Sequence, residues 1–81
     1  MEIKYNIGLV DGKYISESYG DGIYYNLMEM TYDNLNNFAP TFYNENSMSE
    51  LSFHKNKMID ESSGKEFSGR DIIFQEISIN I

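Results

Sequence analysis

Cysteine is absent from this 81-residue sequence, so the chain forms neither disulfides nor thiolate metal sites. Long apolar runs are absent too, because no stretch approaches the roughly 20 residues that a membrane span needs. The N-terminal sequence MEIKYNIG also lacks the basic region and apolar run of a signal peptide. Together, these absences predict a soluble, cytoplasmic protein with no membrane partner.

Basic residues are scarce: six Lys and Arg stand against thirteen Asp and Glu, which gives a net charge of -7. The segment from Tyr14 to His54 has no Lys or Arg at all, yet it holds six of the seven tyrosines. Its six acidic residues are Glu17, Asp21, Glu29, Asp33, Glu45 and Glu50. Because like charges repel, this composition argues against direct binding to DNA, RNA or an anionic membrane.

Motifs that carry catalysis or bind metal are missing as well. A calcium loop needs oxygen ligands at alternating positions, but Ile23 and Tyr25 occupy the third and fifth positions when Asp21 is counted as the first. We therefore expect a plain turn at residues 20–22. His54 is the only histidine and is predicted to lie on the surface. The adjacent carboxylates of Asp60 and Glu61 are expected to be solvated. We predict no enzyme, no cofactor and no metal site.

The N-terminal region predicts a β-hairpin. Apolar and polar residues alternate from Met1 to Val10, as in a half-buried strand, and Asp11-Gly12 is a strong turn signal. A two-residue loop would set Leu9 opposite Tyr14. A three-residue loop would set Leu9 opposite Ile15 and would group the apolar residues better, so the register stays open.

At the other end of the chain, isoleucines alternate between Asp71 and Ile81 and predict a strand. Other apolar residues occupy the opposite face near its start, so we expect this early part to be covered on both faces. The polar segment 60–69 is predicted to be a loop.

The central segment is harder to assign. A helix is predicted from about Thr31 to Phe38, capped by Thr31 or Asp33 and ended by Pro40. Residues 23–30 fit a helix and a strand equally well. Residues 39–46 are predicted to form a loop. For residues 47–59, Ser47 and Glu50 have the spacing of a capping box, but alternation around Leu51 favours a strand, which we predict.

The sequence as a whole predicts one small globular domain over residues 1–81, of the α+β class. It consists of a small antiparallel sheet with one or two short helices in the central segment. An all-β domain is the alternative, since β-branched and aromatic residues dominate both ends.

The mixture of tyrosines and carboxylates without cations predicts a protein-binding surface. Tyrosine gives large contact area at low entropy cost, and acidic residues steer association towards a basic partner. The predicted contact residues are Glu17, Asp21, Tyr24, Tyr25, Glu29, Tyr32, Asp33, Phe42, Tyr43 and Glu45. We predict an inhibitor or regulator that mimics nucleic acid and binds a basic nucleic-acid-handling protein. Small phage-encoded inhibitors and immunity proteins behave in this way, although no motif is shared with them.

Three alternatives remain. The first is an acidic face that serves solubility alone. The second is a homo-oligomer that binds a small ligand or nucleotide, where a phosphate-rich ligand requires that Lys55, Lys57, Lys65 and Arg70 gather around the pocket. The third is a structural subunit of a larger assembly. The apolar run from Ile77 to Ile81 favours a homodimer formed by strand pairing.

Overall fold

A computed structural model describes residues 1–19, 23–53 and 57–80, which form a six-stranded mixed sheet and two short α-helices. The strands are β1 (Glu2–Val10), β2 (Lys13–Tyr19), β3 (Tyr24–Glu29), β4 (Met58–Asp60), β5 (Glu66–Phe67) and β6 (Ile73–Asn80). The helices are α1 (Tyr32–Asn37) and α2 (Glu45–Ser52), and a 3₁₀ helix spans Gly69–Asp71. The strand order is β5-β4-β3-β2-β1-β6.

The predicted α+β class is confirmed, and the presence of two α-helices excludes the all-β alternative. Neighbouring strands run antiparallel except for β3 and β4, which are parallel. Within the described residues, neither helix has the length and apolar character needed to cross a membrane.

The hairpin of β1 and β2 closes with the shorter of the two predicted loops. Asp11 and Gly12 both have positive φ, at 51° and 78°, as a type I′ turn requires. Leu9 therefore lies opposite Tyr14. The twist of this turn matches that of the flanking strands, which the longer loop would not provide as well.

Beyond the hairpin, β1 and β2 separate, and residues 41–43 fill the gap between them. The backbone N–H of Thr41 donates to the carbonyl of Ile15 at 2.9 Å. Tyr43 exchanges two backbone hydrogen bonds with Asn6, at 2.7 and 3.3 Å. The predicted loop over residues 39–46 is thus pinned to both strands, and its last residues already belong to α2.

One face of the sheet, the core face, is covered by α2 and the 3₁₀ helix. Its buried cluster consists of Val10, Ile15, Tyr25, Leu27, Tyr43, Leu51, Met58, Phe67 and Ile72. At Gly69, an added Cβ would lie 2.0 Å from the carbonyl oxygen of Leu51. Only glycine therefore lets the 3₁₀ helix approach α2 this closely.

The opposite face, which we name the open face, receives the alternate residues of the same strands. Its members are Ile3, Tyr5, Ile7 and Leu9 of β1, Tyr14 and Glu17 of β2, Tyr24, Asn26 and Met28 of β3, Ile59 of β4, Glu66 of β5, and Ile73, Gln75, Ile77 and Ile79 of β6. The segment after α1 crosses part of this face. The hydroxyl of Tyr14 donates to the carbonyl of Phe38 at 2.6 Å, and the rings of Tyr5 and Phe42 lie 5.3 Å apart.

The predicted helix near residues 31–38 is confirmed as α1. Thr31 is its N-cap, since its hydroxyl accepts a hydrogen bond from the backbone of Asn34 at 3.1 Å. Residues 23–30, left open between helix and strand, contain β3.

The prediction of a strand over residues 47–59 is wrong for its first part, which belongs to α2. Asn44, and not Ser47, is the N-cap, and the two residues form a reciprocal capping box with bonds of 2.9 Å. Leu51 is buried, whereas Phe53 is 80% exposed, so the apparent alternation did not reflect burial.

The C-terminal strand is confirmed as β6, but its start is covered on one face only. Ile72 is buried, whereas Ile73 is 70% exposed on the open face. Two further predictions, the turn at residues 20–22 and the surface position of His54, lie outside the described residues.

Candidate functional site

Three of the ten predicted contact residues lie on or over the open face, and two more lie on the adjoining helix α1. The first three are Glu17, Tyr24 and Phe42, and the other two are Tyr32 and Asp33. The three rings are accessible, with exposed fractions of 44% for Tyr24, 81% for Tyr32 and 44% for Phe42. Asp33 and Tyr32 belong to α1, and this helix leads directly into the segment that crosses the open face at Tyr14.

Four of the other five predicted residues do not join this surface, and the fifth is not described. Tyr25 and Tyr43 are buried in the core, so the proposed contact surface omits them. Glu29 lies opposite Lys13, on the other face from Tyr24. Glu45 begins α2, which covers the core face, and Asp21 lies outside the described residues. For Tyr25 and Glu29 the reason is that side chains alternate between the two faces along a strand.

Tyr24 and Tyr25 illustrate this alternation. As adjacent residues of one strand, they point to opposite faces of the sheet, so Tyr24 is half-exposed while Tyr25 is buried. The Tyr25 ring packs edge-on against Phe67, with centroids 5.9 Å apart. Burial raises the pKa of Tyr25 above its ordinary value of 10.0.

Charge is unevenly distributed over the open face. The eight open-face positions of β1 and β6 carry no charged side chain, and Gln75 is the single polar residue among them. At the opposite edge of the sheet, Lys57 forms a 3.0 Å ion pair with Glu66 of β5. Between these regions, the carboxylate of Glu17 accepts a hydrogen bond from the side chain of Asn26 at 3.4 Å. The open face thus combines an apolar region, exposed aromatic rings and carboxylates.

Asp60 is a residue whose role the sequence reasoning missed. It was expected to be solvated, but it is 2% exposed. Its carboxylate accepts hydrogen bonds from the hydroxyl of Ser63 at 2.7 Å, the hydroxyl of Ser62 at 3.2 Å and the backbone N–H of Leu27 at 3.3 Å. Serines two and three residues after an aspartate are typical of such local turns, and that spacing was the available signal.

The ionisation of Asp60 follows from this environment. Desolvation is the largest single effect and opposes the charged form, but the hydrogen bonds from Ser63, Leu27 and Ser62 together outweigh it. The pKa of Asp60 is therefore lowered from its ordinary value of 3.8. A buried, ionised carboxylate with these partners organises the turn after β4 and points to a structural role.

Two surface depressions are lined by Glu66 and Phe67 of β5, at the edge of the sheet opposite β6, and have volumes of ≈ 240 and ≈ 300 Å³. Lys65 lines the first and is ion-paired with Asp11, while Lys57 lines the second and is paired with Glu66. Arg70 lines neither, and Lys55 lies outside the described residues. Acidic partners already hold these two lysines, so the depressions give little support to a phosphate-bearing ligand.

Metal ligands do not cluster either: within the described residues, no group of three or more His, Asp or Glu side chains could hold a metal ion. The open face is therefore the best-defined candidate site. No protein family, characterised protein or solved structure matches this chain.

Proposed function

We propose that this protein acts by binding, and that its open face binds a basic, nucleic-acid-handling protein and thereby inhibits or regulates it. The observation that carries the proposal is the presence of three accessible aromatic rings, those of Tyr24 and Phe42 on the open face and that of Tyr32 on the adjoining helix α1. The carboxylates of Glu17 and Asp33 belong to the same two parts of the molecule. Exposed aromatic side chains of this kind supply the energetic centre of many protein interfaces.

The acidic charge supports a basic partner. A net charge of -7 on 81 residues accelerates the encounter with a positively charged surface and repels other acidic molecules. Proteins that bind nucleic acids have basic grooves for phosphates, and carboxylates on a small rigid domain can occupy such a groove. The proposed partner follows from this complementarity.

The sheet also supports the proposal because it holds its contact residues in place. Tyr24 lies on β3, which has neighbouring strands on both sides. Phe42 follows Thr41, whose backbone is bonded to β2, and its ring packs against Tyr5. A surface that is ordered before binding loses less conformational entropy when the partner docks.

Charge reversal tests the electrostatic part of the proposal. The partner would first be captured from the native lysate with the immobilised protein, identified and purified. Asp33→Lys and Glu17→Lys should each slow association with it several-fold at low salt, and the effect should shrink as salt rises. Glu50→Lys is the matched control, since this exposed residue lies on α2 over the core face and changes the net charge equally. Equal slowing by all three variants would mean that the charge is not patterned.

Alanine substitution tests the aromatic part. Tyr24→Ala should weaken binding by about 2 kcal/mol, measured by calorimetry, while costing no more than about 1 kcal/mol of folding stability. Tyr25→Ala is the control in the core and should cost about 3–5 kcal/mol of stability in chemical denaturation. Unchanged affinity in both Tyr24→Ala and Phe42→Ala would overturn the proposal that the open face is the contact surface.

A further inference from the structure

Strand β6 forms one edge of the sheet, and no strand lies beyond it in the described parts of the chain. The backbone of Asn6, which is opposite Glu76, bonds to Tyr43 on the other side of β1. The N–H and C=O groups of Glu76 therefore point away from β1, because backbone groups alternate along an antiparallel pair. By the same alternation, the outward backbone groups of β6 belong to Phe74, Glu76, Ser78 and Asn80.

This edge lacks the features with which proteins prevent strand pairing. Lysine, proline and bulges protect many sheet edges. The eight residues of β6 include no Lys, Arg or Pro, and they pair with β1 without a shift in register. Glu76 is the only charged residue in the strand, and the Nζ atom of Lys4 lies 3.9 Å from its carboxylate. On a protein with a net charge of -7, the β6 edge is thus a place where two copies can approach with little repulsion.

We propose that two copies of this chain dimerise through antiparallel pairing of their β6 strands, about a two-fold axis that passes between the two Ile77 residues. In this register Glu76 lies opposite the partner's Ser78, and Phe74 lies opposite the partner's Asn80. Each of the four outward residues then donates and accepts one backbone hydrogen bond. Moving the axis to Glu76 would set Glu76 against the partner's Glu76, and like charges directly opposite each other are destabilising. Moving it to Ser78 would leave Phe74 without an opposite residue in the partner's β6.

The apolar side chains also fit this register. Ile77 meets the partner's Ile77 on the open face, and the two open faces lie on the same side of one twelve-stranded sheet, twice the six strands of a single copy. A parallel arrangement of the strands would not obey a two-fold axis of this kind. The dimer does not depend on the proposed basic partner, but it would present two copies of the contact surface side by side.

Sedimentation equilibrium at micromolar concentration gives the first test, and the expected mass is twice that of the 9.4 kDa chain. Ser78→Pro removes an outward N–H and leaves the backbone bonds to β1 intact, but it also removes the hydroxyl that donates to Glu2 of β1 at 3.0 Å. Ser78→Ala removes that hydroxyl alone and is the matched control. Ser78→Pro should weaken the dimer roughly tenfold relative to Ser78→Ala while circular dichroism stays unchanged. A monomer in the unsubstituted protein would overturn the proposal, as would equal dimer affinity in a folded Ser78→Pro variant.

Cysteine cross-linking tests the register, since the chain has no cysteine of its own. Ile77 and the partner's Ile77 form a non-hydrogen-bonded pair, for which the Cα atoms lie about 4.5 Å apart. This separation suits a disulfide, so Ile77→Cys should give a covalent dimer under mild oxidation. Gln75→Cys is the control, because residue 75 of each copy would lie roughly 13 Å from its counterpart. The double variant Gln75→Cys, Ile79→Cys should cross-link again. Equal cross-linking of the Ile77→Cys and Gln75→Cys variants would refute the register.

Discussion

Replacing the buried carboxylate of Asp60 is expected to destabilise the protein by about 3 kcal/mol in the Asp60→Ala variant. The Asp60 carboxylate continues the sheet beyond the end of β4, where it accepts the N–H of Leu27 at 3.3 Å. Because Leu27 is buried, truncation leaves this N–H without a partner, at a cost of about 1–3 kcal/mol. Ser62 and Ser63 are exposed and can turn to water, so the loss of their bonds adds less.

Urea denaturation measures this loss as a lower midpoint with an unchanged slope. Asp60→Asn is the matched control, because it keeps an acceptor oxygen for Leu27 but removes the charge. We expect it to lose about half as much stability as Asp60→Ala. A change within about 0.5 kcal/mol for Asp60→Ala, typical of surface positions, would refute the role assigned to the carboxylate.

The pH dependence gives an independent check on Asp60. Its folded pKa lies below the ordinary value of 3.8, so folding favours the ionised form. The stability that this group contributes is fully present above that ordinary pKa and is lost as the pH falls through the lower, folded value. The difference in stability between the unsubstituted protein and Asp60→Asn should therefore shrink in acid. A difference that stays constant or grows as the pH falls would contradict the assignment.

Two further predictions concern packing and alkaline pH. Gly69→Ala should cost more than about 2 kcal/mol in chemical denaturation, because its Cβ would lie 2.0 Å from the Leu51 carbonyl. Gly64→Ala, with a φ of 73° but open space around it, should cost only about 1 kcal/mol, and a reversed order would contradict the packing argument. Burial is the larger cause, and electrostatic interaction with the nearby Tyr25 the smaller, that together raise the pKa of Tyr43 from 10.0 to about 12. The stability that the neutral Tyr43 hydroxyl contributes is present below pH 10 and is lost as the pH rises through 12. The unfolding temperature of Tyr43→Phe should therefore fall less at alkaline pH than that of the unsubstituted protein. An equal fall in both proteins would refute the raised pKa of Tyr43.

The two ends of the fold were predictable because their sequence signals are local. Alternation marked β1 and β6, and Asp11-Gly12 specified a turn whose positive φ angles few other residue pairs tolerate. Thr31 likewise marked the start of α1 through a capping bond that spans only three residues. In each case the interaction that determines the structure lies within the segment itself.

The middle of the fold was less predictable because distant contacts determine it. Strands β4 and β5 have three and two residues, which is too short for any periodic signal. The strand β4 is parallel to β3, and that pairing depends on a chain segment more than thirty residues away. Helix α2 differs, because its capping box joins Asn44 to Ser47 and not Ser47 to Glu50, so the helix begins within the segment that was predicted to be a loop.

For the candidate site, the sequence predicted the chemistry but not the side of the sheet. Tyrosines and carboxylates are abundant throughout residues 14–54, but composition does not determine which face receives each side chain. That choice depends on the strand assignment of residues 24–29 and on the register shift between Ile15 and Glu17, which places Glu17 beside Asn26. Tyr43 entered the core because its backbone pairs with Asn6 across the gap between β1 and β2.

The composition of the open face argues against a purely solubilising role. An antiparallel sheet with one face in water usually carries polar side chains on that face. Here, the open-face positions of β1 and β6 are isoleucine, leucine or tyrosine, with Gln75 as the single polar residue. Ile7 is buried, but Ile73 is 70% exposed. A surface selected for solubility would place a charge at an exposed position such as Ile73. In the proposed dimer, the uncharged open-face positions of β6 become the centre of a continuous surface, with Tyr24 of each copy on its flanks. Such a surface would fit a basic partner that itself has two-fold symmetry, in which two equivalent positive patches flank an apolar centre.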